Sequence, residues 1–126
     1  MLKNENIVRE KSFLFAVRIV RLYQYLTNTE NSNREFIISK QVLRSGTSVG
    51  ANIRESRNAQ MVKDFLAKLY IASKEADETE YWLELLKETG YITEEQLGSI
   101  KQDCEEIMKL LTSIIKTTKK NNPDLK

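Results

Sequence analysis

The 126-residue sequence has no histidine, a single cysteine and a single proline. Without histidine, the chain cannot form a Ser-His-Asp or Cys-His catalytic system, nor a zinc site that uses imidazole. Cys104 has no partner for an internal disulfide, which is typical of a cytoplasmic protein. The N-terminal residues MLKNENIVREKS lack the apolar segment of a signal peptide, and no apolar run approaches the roughly 20 residues of a membrane span. We therefore expect a cytoplasmic protein without a membrane segment.

The same shortages argue against an enzyme or a metalloprotein. Di-iron helical bundles use Glu-x-x-His motifs, which this chain cannot form. We interpret the acidic residues around Glu78 as a solvated helix face, and the lone thiol of Cys104 as a buried structural group. No glycine-rich phosphate-binding motif is present. The sequence predicts no catalytic residue, no metal site and no cofactor.

Low proline and glycine contents predict an all-α protein. Apolar residues recur every three or four positions over about 7–27, 33–57 and 61–89, and again from Leu97 to Thr118. Gly90 is suited to ending the third helix. Short connections between the four segments favour an up-down-up-down antiparallel four-helix bundle over residues 1–120. Residues 121–126 have nothing to bury and are predicted to be disordered.

Two helix starts carry capping-box spacing. Ser32 and Glu35 precede the second predicted helix, and Thr93 and Gln96 precede the fourth. In this motif the two side chains satisfy free backbone amides at the start of a helix. We expect both boxes to form.

The stretch LRSGTSVGANIRES is unusually rich in small residues for a helix. Glycine inside a helix costs up to about 1 kcal/mol relative to alanine, so its presence indicates that another backbone comes close. This contact could lie inside the bundle or between subunits. Asn52 falls near the core stripe, where its amide could be buried and fix helix register, or could remain at the surface. The predicted packing residues are Ser45, Gly46, Ser48, Gly50 and Asn52.

Charge is unevenly distributed. Residues 1–63 hold 11 Lys and Arg against 5 Asp and Glu, a net +6, while residues 64–126 hold 9 against 13, a net −4. This pattern predicts a basic and an acidic surface, although neighbouring helices of opposite charge could simply complement one another. Basic residues share one side of the first helix and an arc of about 80° on the second, where they suit contact with nucleic-acid phosphates. A solvated helix face is the alternative. The candidates are Lys11, Arg18, Arg21, Lys40, Arg44 and Arg54.

Apolar surface exceeds what one bundle core requires. The first helix carries a second apolar stripe of Phe13, Val17 and Val20, and the third carries Tyr70 and Trp82 off its main stripe. Such an excess favours a homo-oligomer. A thick core that absorbs these side chains at its margin is the alternative.

The sequences LRSGTSVGANIRES, DFLAKLYIASKEADETEYWLELL and GYI together resemble the 23S ribosomal RNA intervening-sequence proteins, also called the S23 family. The resemblance implies a four-helix bundle that assembles as a ring-shaped homopentamer. The chain is also similar to the accessory protein of diversity-generating retroelements, which implies nucleic-acid binding and a reverse transcriptase partner. Glu55-Ser56 and Lys74-Glu75 depart from the family's common residues, and no catalytic residue is implied. The leading hypothesis is an RNA- or DNA-binding adaptor, and the alternative is a protein-interaction scaffold.

Overall fold

The computed structural model describes the backbone of residues 2–125 and the side chains of residues 3–125. Met1 and Lys126, the outer limits of the predicted domain and tail, lie outside the described residues. Four helices form: α1 (Leu2–Thr27), α2 (Ile38–Ser56), α3 (Val62–Glu88) and α4 (Glu94–Lys120). Residues 2–125 contain no strand. The predicted all-α class and helix count are confirmed.

Each helix packs antiparallel to its neighbour in the sequence, and α4 returns to α1. Ser12 of α1 lies beside Gly50 of α2, and Ile19 of α1 lies beside Gly46 of α2. The two helices therefore run in opposite directions. On α2 and α3, Arg44 reaches Glu78 while Glu55 reaches Lys68, again with opposite direction. The predicted up-down-up-down bundle is confirmed.

The core consists of one apolar stripe from each helix, packed around the bundle axis. On α1 the stripe includes Phe15, Ile19 and Leu26, all at most 1% exposed. The second predicted stripe of α1 lies outside this core, because Phe13 is 59% and Val20 38% exposed. All seven residues of the predicted α4 stripe are buried: Leu97, Ile100, Cys104, Ile107, Leu111, Ile114 and Thr118.

The predicted start of the second helix is wrong. Residues 33–37 are not helical, α2 begins at Ile38, and the Ser32–Glu35 capping box does not form. Instead the Glu35 carboxylate is buried and accepts hydrogen bonds from the backbone N–H groups of Ile37, Ile38 and Ser39 at 3.0, 2.9 and 2.6 Å. The backbone N–H of Glu35 also donates to the carbonyl of Leu26 at 2.9 Å. Because Glu35 satisfies the free amides of Ile37, Ile38 and Ser39, the helix starts at Ile38.

The other boundaries agree more closely with prediction. Thr93 and Gln96 form the predicted reciprocal capping box at 3.1 and 2.8 Å. Gly90 follows α3 with φ +85°, a conformation that favours glycine. Helix α1 begins at Leu2, earlier than predicted. After α4, residues 121–125 form a turn in which Leu125 N–H donates to the Asn122 carbonyl at 3.1 Å. Disorder of the tail stays a prediction.

No helix among residues 2–125 combines the length and apolar character that a bilayer crossing requires. The cytoplasmic location stays a prediction.

Candidate nucleic-acid interface

The small residues of α2 allow close contacts inside the bundle. A Cβ atom added at Gly46 would lie 2.8 Å from both Cγ1 and Cγ2 of Ile19. One added at Gly50 would lie 3.2 Å from the Ser12 carbonyl oxygen of α1. These two glycines therefore bring α2 against α1, and the close approach lies between helices of one chain.

The serines of the same stretch have different surroundings. Ser45 is fully buried, and its Oγ accepts a hydrogen bond from Thr79 Oγ1 of α3 at 2.8 Å. Ser48 Oγ instead donates to the Arg44 carbonyl of its own helix at 2.7 Å. Asn52 is partly buried, and its Nδ2 donates to the Ser48 carbonyl at 2.8 Å. The Asn52 amide is thus satisfied within α2, and its proposed role in helix register stays a prediction.

Three of the six candidate basic residues form ion pairs across helix seams. Lys11 Nζ lies 2.9 Å from Glu106 Oε2, and that carboxylate raises the pKa of Lys11 through its hydrogen bond and its charge. Arg18 donates to Asp103 at 2.7 Å and to Ser99 Oγ at 2.6 Å. These pairs join α1 to α4, so both cations are already partly neutralised.

Arg44 joins α2 to α3 in the same way. Its guanidinium donates to Glu78 and, at 3.2 Å, to Glu75. Glu78 also accepts a hydrogen bond from Trp82 Nε1 at 2.9 Å. The hydrogen bond from Trp82, followed by the hydrogen bond and charge of Arg44, lowers the pKa of Glu78. Arg44 therefore serves the α2–α3 seam, which reduces its availability to a phosphate.

The other three candidates, Arg21, Lys40 and Arg54, are exposed and form no ion pair among the described side chains. They do not form one continuous ridge. Arg54 lies near the C-terminal end of α2, whereas Lys40 lies near its N-terminal end. By the helical rise of 1.5 Å per residue, the two positions are about 21 Å apart along the axis.

The fold turns the uneven charge of the sequence into a charge difference between the two ends of the bundle. One half contains residues 2–16, 47–73 and 107–125, because the start of α1, the end of α2, the start of α3 and the end of α4 lie together. This half holds 11 Lys and Arg against 5 Asp and Glu, a net +6. The other half, residues 17–46 and 74–106, holds 8 against 13, a net −5. We call these the basic half and the acidic half.

An open groove runs between α1 and α2 in the basic half. Its volume is about 770 Å³. Phe13 and Leu14 line one side, and Thr47, Gly50 and Ala51 belong to the other. Three arginines also line it: Arg9, Arg54 and Arg57.

Arg9 and Arg57 were not among the residues predicted from the sequence. Neither forms an ion pair among the described side chains. The signal that could have found them is the antiparallel pairing of the first two helices, which places the start of α1 beside the end of α2.

The contact between α3 and α4 contains a buried acidic group, in contrast to the arginines of the groove. Glu80 Oε2 is buried and has no hydrogen-bond partner among the described protein atoms. Burial raises the pKa of Glu80, which the charge of Lys101 partly counteracts. Burial also raises the pKa of the nearby Cys104 thiol to about 12. Cys104 is fully buried, and its Sγ lies 3.3 Å from the Ala76 carbonyl, so the prediction of a buried thiol is confirmed.

No cluster of three or more Cys, Asp or Glu side chains able to hold a metal occurs in the described part of the chain.

The description "23S rRNA-intervening sequence protein" belongs to a family model that matches residues 4–113. The chain belongs to this family. The match spans all of α2 and α3 and most of α1 and α4, and it contains the groove and the close α1–α2 contact. The resemblance inferred from the sequence is thereby confirmed.

A solved structure shows the same relationship. It is a protein of unknown function from the S23 ribosomal protein family of Bacteroides thetaiotaomicron VPI-5482, 61% identical to this family member. The similarity covers 90% of this chain and 98% of that one, with a TM-score of 0.85. No curated protein matches the chain. These relationships establish the family and support the fold.

Proposed function

We propose that this family member is a non-enzymatic protein that binds RNA or DNA through the basic half of its bundle. The observation that carries the proposal is the presence of Arg9, Arg54 and Arg57 around one groove, without ion-pair partners among the described side chains. Guanidinium groups that are not already paired are available to phosphate oxygens. Contacts to the backbone phosphates supply affinity that does not depend on base sequence.

The charge difference between the two halves also supports this proposal. A net +6 at one end attracts a polyanion, and a net −5 at the other repels it, so the bundle would approach nucleic acid with the basic half first. A protein whose overall charge is only +2 can therefore present a strongly basic surface. Of the candidates predicted from sequence, Arg54 lies within the groove, while Arg21 and Lys40 lie in the acidic half.

The family description names the intervening sequences of a ribosomal RNA, and it does not say that the protein binds that RNA. This description agrees with RNA binding, but the proposal rests on the arginines of the groove and on the charge of the basic half.

The proposal is tested by fluorescence anisotropy of a labelled RNA and a DNA of the same sequence, titrated over a salt series. The test variant is Arg54→Gln/Arg57→Gln. The matched control is Arg21→Gln/Lys40→Gln, which removes the same charge from exposed, unpaired positions in the acidic half. Each lost phosphate contact should reduce the slope of log affinity against log salt by about 1. We expect a reduction of up to about 2 in the test variant and little change in the control.

Absence of binding at low salt would contradict the proposal. Equal losses in the two variants would show nonspecific attraction without a defined surface. Arg44 is unsuitable for this experiment because its substitution breaks the α2–α3 ion pairs.

A protein-interaction scaffold is the second candidate function. The acidic half exposes large apolar side chains, with Ile37 78%, Tyr81 60% and Phe36 50% accessible. Such residues suit a protein interface. The homo-oligomer, the pentameric ring and a reverse transcriptase partner remain predictions. Light scattering would measure the subunit number directly, and an Ile37→Ser variant that lowers the mass would locate the interface.

A further inference from the structure

We infer that the α1–α2 groove binds single-stranded nucleic acid, with a base stacked on Phe13 and the adjoining phosphates held by Arg9, Arg54 and Arg57. This inference rests on the proposed function and specifies its ligand. Single-strand binding sites commonly combine a positively charged groove with an aromatic platform for bases. The groove described above contains both.

Phe13 supplies the aromatic platform. It is 59% exposed although it lines the groove, and it forms no aromatic pair among the described rings. A phenylalanine in this position leaves a large apolar area in water. Every base offers a flat π surface that can cover such a ring without requiring a particular sequence.

The opposite side of the groove has short side chains. Gly50 has no side chain. Thr47 lies about one turn before it on α2, and Ala51 directly follows it. Ala16 adds another small residue from α1. These positions leave room beside Phe13 for a planar ring.

The three arginines lie along the path that a single-stranded nucleic acid would follow from Phe13 towards the basic end of the groove. Gly50 is level with Ser12, the neighbour of Phe13. From that level, Arg9 on α1 lies about 4.5 Å and Arg54 on α2 about 6 Å towards the basic end, because the helices are antiparallel. Arg57, the residue that follows the last residue of α2, lies about one further turn in the same direction. The positions therefore follow the groove outward from the aromatic ring.

The acidic residues of the groove do not cancel this charge. Glu10 and Glu55 also line it, and Glu55 is paired with Lys68 at 3.3 Å. Three arginines thus face one carboxylate that has no ion pair among the described side chains. The net positive charge of the groove favours an anionic ligand over a neutral or cationic one.

A duplex would use this surface less well. Phosphates of either form can contact the arginines, but the bases of a duplex are stacked on one another and are not available to Phe13. The contribution of Phe13 should therefore appear with a single strand alone, whereas that of the arginines should appear with both.

The experiment compares a fluorescein-labelled 12-nucleotide oligo-U with a labelled 12-base-pair RNA duplex, both titrated at fixed salt. The variants are Phe13→Ala, Phe13→Trp and the control Phe36→Ala, which truncates a similarly exposed phenylalanine outside the groove. Phe13→Ala should weaken oligo-U binding about 5-fold or more, the effect of losing one stacked base. It should leave duplex binding unchanged, while Phe13→Trp retains or improves oligo-U binding and Phe36→Ala has no effect. Circular dichroism and light scattering on each variant establish fold and mass.

Binding that falls in Arg54→Gln/Arg57→Gln but is unchanged in Phe13→Ala would overturn this inference and leave the proposed function standing. Loss of duplex and oligo-U binding by equal factors in Phe13→Ala would also overturn it. A change of oligomer mass in Phe13→Ala would assign the ring to an interface between copies of the chain. Failure of the wild-type protein to bind either probe at low salt would remove the proposed function as well.

Discussion

Gly46 of α2 lies directly against Ile19 of α1, with no space for a β-carbon between them. A Cβ atom placed on Gly46 would be 2.8 Å from two carbons of the fully buried Ile19 side chain. This contact explains why the middle of α2 tolerates a residue that weakens helices. It also fixes the separation of the two helices whose opposite ends form the arginine-lined groove.

Gly46→Ala should therefore destabilise the protein despite the better helix propensity of alanine. Overpacking of a close helix contact costs about 1–3 kcal/mol, which above the lower limit of this range outweighs the roughly 1 kcal/mol gained in propensity. Gly98→Ala is the matched control, because Gly98 is also helical but an added Cβ would meet no atom within 4 Å beyond its neighbours and the adjoining backbone of its own helix. We expect Gly98→Ala to raise the free energy of unfolding and Gly46→Ala to lower it, as measured by urea denaturation. Stabilisation by both substitutions would mean that Ile19 moves aside without cost.

The helices and their buried faces could be predicted because an apolar stripe repeats with the helical period. The stripe from Leu97 to Thr118 is buried along its whole length, and Thr93 caps α4 as its spacing indicates. These features depend on residues that are close in sequence. Local pattern was sufficient for them.

The features that could not be predicted depend on contacts between distant residues. Arg44 belongs to the exposed arc of α2 by its position, yet Glu75 and Glu78 of α3 occupy its guanidinium. Arg9 and Arg57 are distant in sequence, and they line the same groove only because α1 packs against α2. The local spacing predicts that Glu35 forms a capping box with Ser32, but its N–H donates to the carbonyl of Leu26, a contact that this spacing does not indicate.

Glu35 should be important for stability. The residue is 7% exposed, and its carboxylate accepts three backbone N–H hydrogen bonds at the start of α2. Removing a helix cap costs about 0.5–2 kcal/mol, and a charged acceptor of several amides belongs near the upper limit. Glu35→Ala should lower the free energy of unfolding by about 2 kcal/mol, and Glu35→Gln by less because one oxygen acceptor remains. Glu30→Ala, at an exposed loop position, is the control. Equal stability of Glu35→Ala and wild type would contradict this role.

Glu78 should contribute stability that is lost in acid. The hydrogen bond from Trp82 and the interactions with Arg44 lower the pKa of Glu78 in the folded protein. A carboxyl group with a lowered folded pKa stabilises the protein above its unfolded pKa, about 4.3, and this contribution is lost as pH falls through the folded pKa. Trp82→Phe removes the hydrogen-bond donor, so it should lower stability at pH 7 by about 1 kcal/mol. The decrease in stability below about pH 4 should also be smaller than in the wild-type protein. Urea unfolding between pH 2 and 7 measures both effects.

Tyr81→Phe is the control for that experiment, because it removes a hydroxyl from a neighbouring exposed aromatic residue that makes no hydrogen bond to Glu78 among the described side chains. An unchanged acid profile in Trp82→Phe would show that the hydrogen bond from Trp82 does not govern the titration of Glu78.

Glu80, two residues further along α3, should have the opposite effect. Burial raises its pKa in the folded protein, and its Oε2 has no hydrogen-bond partner among the described atoms. Protonation of the Glu80 carboxyl group therefore stabilises the folded protein. This stabilisation is fully present below the unfolded pKa, about 4.3, and is lost as pH rises through the higher folded pKa. Glu80→Met replaces the carboxyl group with an apolar side chain of similar length that suits a helix. It should raise the free energy of unfolding at pH 7 by about 1 kcal/mol, near the lower cost of a buried unpaired polar atom.

The gain in Glu80→Met should shrink as the pH is lowered, because the wild-type carboxyl group then becomes neutral. Lys101 lowers the pKa of Glu80, whereas Asp77, Glu84 and Glu105 raise it, so the gain reflects their combined field. Glu84→Met is the matched control, since Glu84 is exposed on the same helix and pairs with Lys101 at 3.4 Å. Its removal should leave stability at pH 7 unchanged or slightly reduced. A loss of stability in Glu80→Met at neutral pH would show that the carboxylate is satisfied by groups other than the described side chains, and that burial is not what governs its titration.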